Sequence, residues 1–373
     1  MIGFGCLLVV LFVLYVVECA VWIPSDTAAF RLTSNEKSPI RMVTKPRVVT
    51  RSSVAFSNPL SFRSAILVCS SVSASISPDG IVCGMWDEFL AFEDMSRIES
   101  SRRSLLINGA ALISASSEAQ ASDLAQLLRR LCKQKPKDRA NEIEKYLADC
   151  LDADRAGARV QEYADESFNL NLDSFVLFLA TFVVSPIVVW RLGLPETWPF
   201  LLLCLLLNVS VILWDFRRTE RKLFPKPGTN RWETMVTILL SPPVALHATK
   251  YLARDIAADY HPLAIAAARC SDEDFETLAS WVLRQLMFVP DINRVTNDRA
   301  ADCSEWFRHE LHKQVSSLVR SKGRCPELLV APPPRGSQNA GSYCPRCWSQ
   351  FVVPQGACID CGGVTLRSFD EHQ

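Results

Sequence analysis

The sequence predicts a multi-pass α-helical membrane protein with a small α+β N-terminal cytosolic domain, an α-helical C-terminal region and a compact four-cysteine module at its end. Three observations lead there. Two apolar runs without a single charge, at 174–190 and 197–214, are separated by a link of six residues; a third apolar run covers Ile2–Val17; and two Cys-x-x-Cys pairs fall within the last thirty residues. The 373 residues leave room for two modest domains and further segments. Forty basic residues balance forty acidic ones, so overall charge points to no polyanionic partner. Ten of the fourteen cysteines stand singly, mostly in apolar stretches where cysteine serves as a small buried hydrophobe. A secreted disulfide scaffold is usually short and cysteine-dense throughout, so this distribution favours a reducing compartment.

The first segment, 1–23, reads either as an N-terminal membrane helix or as a signal peptide. No Lys or Arg precedes Arg31 and "VECA" makes a poor cleavage site, which favours an uncleaved anchor. Residues 24–64, rich in Ser, Thr, Pro and Arg and without a sustained period, read as a linker. From 65 to 165 an α+β domain is expected. "AILVCSSVSA" and "IVCGMWDEFLAF" flank the turn "SPDG", and Asn108-Gly109 between apolar runs is a strong hairpin signal. Ser117 and Gln120 form a capping box ahead of a helix carrying Leu124, Leu127, Leu128 and Leu131 on one stripe. The "WDEF" of 86–89, the Asn-Gly hairpin and that helix loosely resemble bacterial pleckstrin-homology-like domains.

The runs at 174–190 and 197–214 predict a transmembrane helical hairpin over 174–214, since 17 or 18 residues at about 1.5 Å each nearly span a hydrocarbon core of about 30 Å. Trp190, Trp198 and Trp214 stand at the ends, where indole favours the headgroup layer. Arg217, Arg218, Arg221, Lys222 and Lys226 follow the second run, whereas the link holds only Arg191. Basic flanks stay cytoplasmic. The expected location is therefore an integral (plasma or inner) membrane with the soluble regions facing the cytoplasm.

Residues 215–330 read as a helical cytosolic region. Within it the apolar stretch 235–248, broken by Pro242 and Pro243, is too short to span; it either lies in the interface or seeds the local core. Ser271 ahead of Asp272, Glu273 and Asp274 marks a capped helix start with Phe275, Leu278, Val282 and Leu286 as its stripe. "APPPRGSQNAGS", 331–342, is a linker by composition.

Chemistry is concentrated in 343–367. Cys344 and Cys347 are one Cys-x-x-Cys, Cys358 and Cys361 a second, with ten residues between the pairs. Each turn aims two sulfurs at one point, and two such turns complete a tetrahedron for a metal. This stretch resembles a zinc ribbon, with all four cysteines on its ligand positions; rubredoxin iron sites share the knuckles but separate them far more, and here Trp348 rather than glycine follows the first knuckle. The resemblance implies structural Zn2+ held by Cys344, Cys347, Cys358 and Cys361, and hence a terminal zinc ribbon as the last part of the fold. Redox dithiols or disulfides are the remaining readings of the four thiols. A closed four-thiolate site folds its domain and leaves no open position for substrate. The charges here, Arg346, Asp360 and Arg367, are too few for phosphate neutralisation, so a protein partner is favoured over nucleic acid.

No Gly-x-Ser-x-Gly elbow, phosphate loop or His-Glu-x-x-His motif occurs. "RHELHK" holds His309 and His312, and "RDIAADYHP" gathers Asp255, Asp259 and His261; a solvated helix face and helix capping explain them more simply than catalysis. The function expected is that of a membrane-anchored scaffold or regulatory protein using a zinc ribbon for protein contact, with the bilayer and a protein as partners. A membrane-bound enzyme with its site in 245–312 is the alternative, tested at Asp259, His261 and His309, and a nucleic-acid-binding membrane protein is the third. No catalytic residue and no small-molecule substrate are identified.

Overall fold

A computed structural model of the protein describes residues 20–23, 27–32, 40–42, 53–56, 66–70, 74–83, 88–101, 104–115, 118–224, 232–240, 252, 255–256, 259–289 and 298–372. The chain divides into two compact units, one made of 1–43, 51–69 and 158–257, the other of 44–50, 70–157 and 258–373.

The first unit holds short strands and the apolar helices. Ala20–Ile23 pairs antiparallel with Ser53–Phe56, and Thr27–Leu32 lies between Ile40–Met42 and Ile66–Ser70. Three of these strands fall within 24–64, the stretch expected as a linker. The leading apolar run lies outside the described residues up to 19, and Ala20–Ile23 is extended.

The expected multi-pass membrane architecture is overturned. Among the described residues one helix, Thr197–Leu223, is long and apolar enough to cross a membrane. The run at 174–190 does not form such a helix, for a reason centred on Pro186. An α-helix ends at Leu179, residues Ala180–Val184 adopt a wider π turn, and a second α-helix covers Ser185–Leu192. Proline has no N–H for the carbonyl four residues back, so the ladder slips. Both the backbone N–H and the hydroxyl of Ser185 then turn to the carbonyl of Ala180, the hydroxyl at 2.7 Å. Gly193, at a φ of 86°, ends this segment, and the helix Leu194–Leu223 begins at once.

In the second unit, Gly80–Cys83 is the centre of one three-stranded antiparallel sheet, between Ala74–Ile76 and Glu88–Ala91. Ser104–Ile107 is the centre of another, between Ile98–Ser101 and Ala110–Ser114. The turn between the last two strands is Asn108-Gly109, with φ of 53° and 87°, the paired left-handed conformation of a tight hairpin. Helices Glu118–Cys132 and Pro136–Cys150 close the core, which gathers Ile81, Phe92, Leu105, Ile107, Leu131 and Ile143.

Arg139 is buried among these elements and held by carbonyls and a ring. Its Nε donates to the carbonyl of Leu131 at 2.9 Å, its Nη1 to that of Pro78 at 3.0 Å, and the guanidinium lies 4.7 Å from the centre of the Phe92 ring. A buried cation is tolerable only when its donors are satisfied in this way.

The long helix Asp298–Ser321 packs on the Gly80–Cys83 sheet, where Ala300 and Cys303 meet Val82. Helix Asp272–Met287 lies beside it and starts as its sequence predicts: Ser271 Oγ accepts the N–H of Asp274 at 3.2 Å. Its buried stripe is Phe275, Leu278, Ala279, Val282 and Leu283, together with one charged residue, Arg284.

Candidate metal centre

Cys344 and Cys347 sit on the turn between strands Ser342–Tyr343 and Gln350–Phe351; Cys358 and Cys361 lie on and just after strand Ala357–Cys358, which pairs with Val364–Thr365. Two hairpins thus carry two knuckles. Backbone bonds shape each one: Trp348 N–H donates to the carbonyl of Cys344 at 2.8 Å, and Gly363 N–H to that of Cys358 at 2.9 Å. The second knuckle turns through Gly362 at a φ of 70°, a conformation glycine takes at no steric cost. At the matching place in the first knuckle stands Trp348, with a φ of 63°.

The four sulfurs converge. All lie within 4.8 Å of one another, and Cys347 Sγ is 3.8 Å from Cys358 Sγ. A tetrahedron with Zn–S arms of ~2.3 Å has an edge of about 3.8 Å, whereas a disulfide needs about 2.05 Å. All four are free cysteines. Cys344, Cys358 and Cys361 are buried and Cys347 half-buried, packed with Val364 and Leu366. Donor set, spacing and enclosure all fit a metal ion. Among the described residues this is the one group of three or more His, Cys, Asp or Glu side chains close enough to share one.

Hydrogen bonding favours ionisation of Cys347 over that of Cys344. Hydrogen bonding with the Cys344 thiol, reinforced by Ser349 3.2 Å away, holds the Cys347 thiol below its ordinary value. The Cys344 thiol is correspondingly raised by that same bond, and burial pushes Cys361 up to about 12. A neighbouring cation faces this charge. Arg284 has a side chain 7% exposed; its Nη1 donates to the carbonyl of Arg346 at 2.9 Å, and its guanidinium sits 3.7 Å over the Trp348 ring. Burial pulls its pKa down to about 10, while the sulfurs of Cys347, Cys344 and Cys361 oppose that fall.

Two further contacts tie the double hairpin to the same helix end. Arg346 Nε donates to Gln285 Oε1 at 2.5 Å, and Phe288 packs against the cysteine cluster with Arg367 above its ring at 4.8 Å. Sequence reasoning missed this seat. The available signal was a cation, Arg284, adjoining the apolar stripe of the helix.

The other sequence candidates separate. Asp259 and His261 border a cavity in the second unit, and the Nδ1 of His261 accepts the N–H of Leu263 at 3.2 Å, the helix cap expected for it. His309 is exposed on helix Asp298–Ser321 and does not border that cavity. Compared with protein families, curated proteins and solved structures, the chain finds no match.

Proposed function

We propose that the protein is a membrane-anchored scaffold or regulatory protein whose C-terminal double hairpin is a zinc ribbon used for protein contact. The convergence of four cysteine sulfurs within 4.8 Å carries this reading. The metal is Zn2+: four thiolates suit a soft, tetrahedral, redox-inert ion. Its role is structural, because protein sulfurs fill every position and leave none for water or substrate. When bound, the ion supplies folding free energy to a module whose own apolar core is small.

Contact with protein is favoured by what the module presents. Arg346 is held by Gln285 and Arg367 is stacked on Phe288, so neither reaches out freely toward phosphate. Val352 is 76% and Ile359 92% exposed, apolar side chains on the outer hairpins. Anchoring rests on helix Thr197–Leu223, which is about 40 Å long at 1.5 Å per residue and exposes Trp198, Leu203, Leu207 and Trp214. The cations Arg217, Arg218, Arg221 and Lys222 at its end favour a cytosolic location for the residues that follow, where thiols stay reduced.

Native mass spectrometry of the purified chain, with elemental analysis, tests the metal. One zinc per chain is expected, with loss of the metal in Cys361→Ser. Two disulfides and no bound metal in protein prepared under reducing conditions would overturn the ribbon reading.

A further inference from the structure

A cavity of about 220 Å3 lies in the second unit, far in sequence from the cysteine cluster. Its walls are largely apolar: Ile81, Leu105 and Ile113 from the two sheets, Leu124 and Leu128 from helix Glu118–Cys132, and Leu147 from the next helix. Polar groups border it as well, among them Gln120, Tyr146, Cys150, Asp259 and His261. Segments more than a hundred residues apart bring them together, and the N–H of His261 donates to the carbonyl of Cys150 at 2.8 Å.

We propose that this cavity binds a small, neutral, largely apolar molecule with a single hydrogen-bonding group, in the class of a bicyclic aromatic heterocycle or a medium-chain alcohol. Volume sets the size. A cavity of about 150 Å3 with aliphatic walls stays dry and accepts benzene, so the space here suits a molecule of roughly nine heavy atoms. Lining sets the charge. Among the described residues no Lys or Arg borders the cavity, so a carboxylate head would give up water with no cation there to replace it. The hydrogen-bonding end belongs beside Tyr146 and Cys150, where apolar walls give way to polar atoms; a few placed polar groups in an apolar wall are what orient a ligand in such sites.

The same groups are poorly suited to covalent chemistry, which favours binding over reaction. Burial pushes the Cys150 thiol up to about 11, so it carries no thiolate at neutral pH. His261 has its Nδ1 committed to Leu263 N–H, and burial holds its imidazole neutral.

The test uses the full chain in phospholipid nanodiscs, with isotope-labelled isoleucine methyl groups observed by NMR. Three probes of similar size are titrated: indole, octan-1-ol and octanoate. Indole or octanol at millimolar concentration is expected to shift Ile81 and Ile113, which line the cavity, and to leave Ile238 of the other unit unmoved. Octanoate is expected to bind at least about tenfold more weakly, and Leu124→Phe, which fills the space, to weaken the better probe by a similar factor. Which neutral probe binds more tightly separates a planar from a linear ligand. The proposal is overturned if no probe moves Ile81 or Ile113, if all described isoleucines shift alike through partition into lipid, or if octanoate binds as well as the neutral probes. The wild-type titration decides the matter even where the filled variant fails to fold.

Discussion

Arg284 lies 3.7 Å over the ring of Trp348, and through that contact a helix 60 residues upstream in the chain holds the first cysteine knuckle. Trp348 occupies left-handed backbone space, which costs a residue with a Cβ about 1–2 kcal/mol. Stacking on a partly desolvated guanidinium returns a comparable amount. The departure from glycine at this position is thus compensated by a partner outside the module.

A first prediction follows from that pairing. Arg284→Ala removes the stacking cation and leaves the Arg346 carbonyl without its donor, a loss of about 2–3 kcal/mol. Zinc should leave the variant faster under a chelator challenge, followed by a colorimetric zinc indicator. Arg284→Lys should not restore retention, because an ammonium lacks the planar fork. Trp348→Phe should retain zinc nearly as well as the parent, since the buried indole N–H finds no hydrogen-bond partner among the described residues and its removal forfeits none of these contacts. Equal chelator resistance in Arg284→Ala and the parent would show that the helix does not support the knuckle.

Asn108 supports a second prediction. Beyond its left-handed φ of 53°, its Oδ1 accepts the N–H of Ser96 at 2.9 Å and of Arg97 at 3.2 Å, while its Nδ2 donates to the carbonyl of Asp94 at 2.8 Å. Replacement by alanine loses these bonds, together with that from the Ser96 hydroxyl at 3.0 Å, and adds backbone strain, about 2 kcal/mol in this exposed setting. Asn108→Gly should cost less than Asn108→Ala, because it keeps the backbone conformation. Denaturant melts of both variants decide the order.

The acid limb of the stability profile should depend on His261. Burial lowers its pKa to about 4 from the ordinary 6.5, so the folded state prefers the neutral ring. Between these values the unfolded chain binds more protons than the folded one, and stability rises with pH. The contribution is complete above pH 6.5 and falls away as the pH drops toward 4. Since the residue is only half-buried, about 1–2 kcal/mol is expected across that window. Asn at 261 keeps a capping acceptor for Leu263 and does not titrate, so His261→Asn should flatten this limb. A limb of unchanged slope in that variant would assign it to carboxylates.

Local signals were legible in the sequence, and long-range ones were not. The Asn108-Gly109 turn, the Ser271 cap and the two cysteine pairs each depend on residues within a few positions, and each appears where the spacing puts it. The count of membrane-length helices was misread because apolar composition does not reveal a slipped ladder. Pro186 was visible in the sequence, but only the structure gives the π turn over Ala180–Val184. The seat of the ribbon on Arg284, Gln285 and Phe288 left only one local trace, a cation adjoining an apolar stripe, and the cavity that Ile81 and His261 border left none, since both join segments distant in the chain.

Helix Thr197–Leu223 supplies the last prediction. Only 17% of its most apolar window is buried by other parts of the chain, so most of that surface needs either lipid or a protein cover. Leu203 and Leu207 are one turn apart and both exposed. Arginine at both would cost about 2.5–3.5 kcal/mol each if the helix sits at the bilayer centre, enough to abolish insertion. In cell fractions washed with alkaline carbonate, the parent should stay with the membrane pellet and Leu203→Arg/Leu207→Arg should move to the supernatant. A charge-preserving swap at the helix end, Arg218→Lys, should remain in the pellet. Release of the parent itself by carbonate would exclude a spanning helix and require that this apolar face be covered by protein instead.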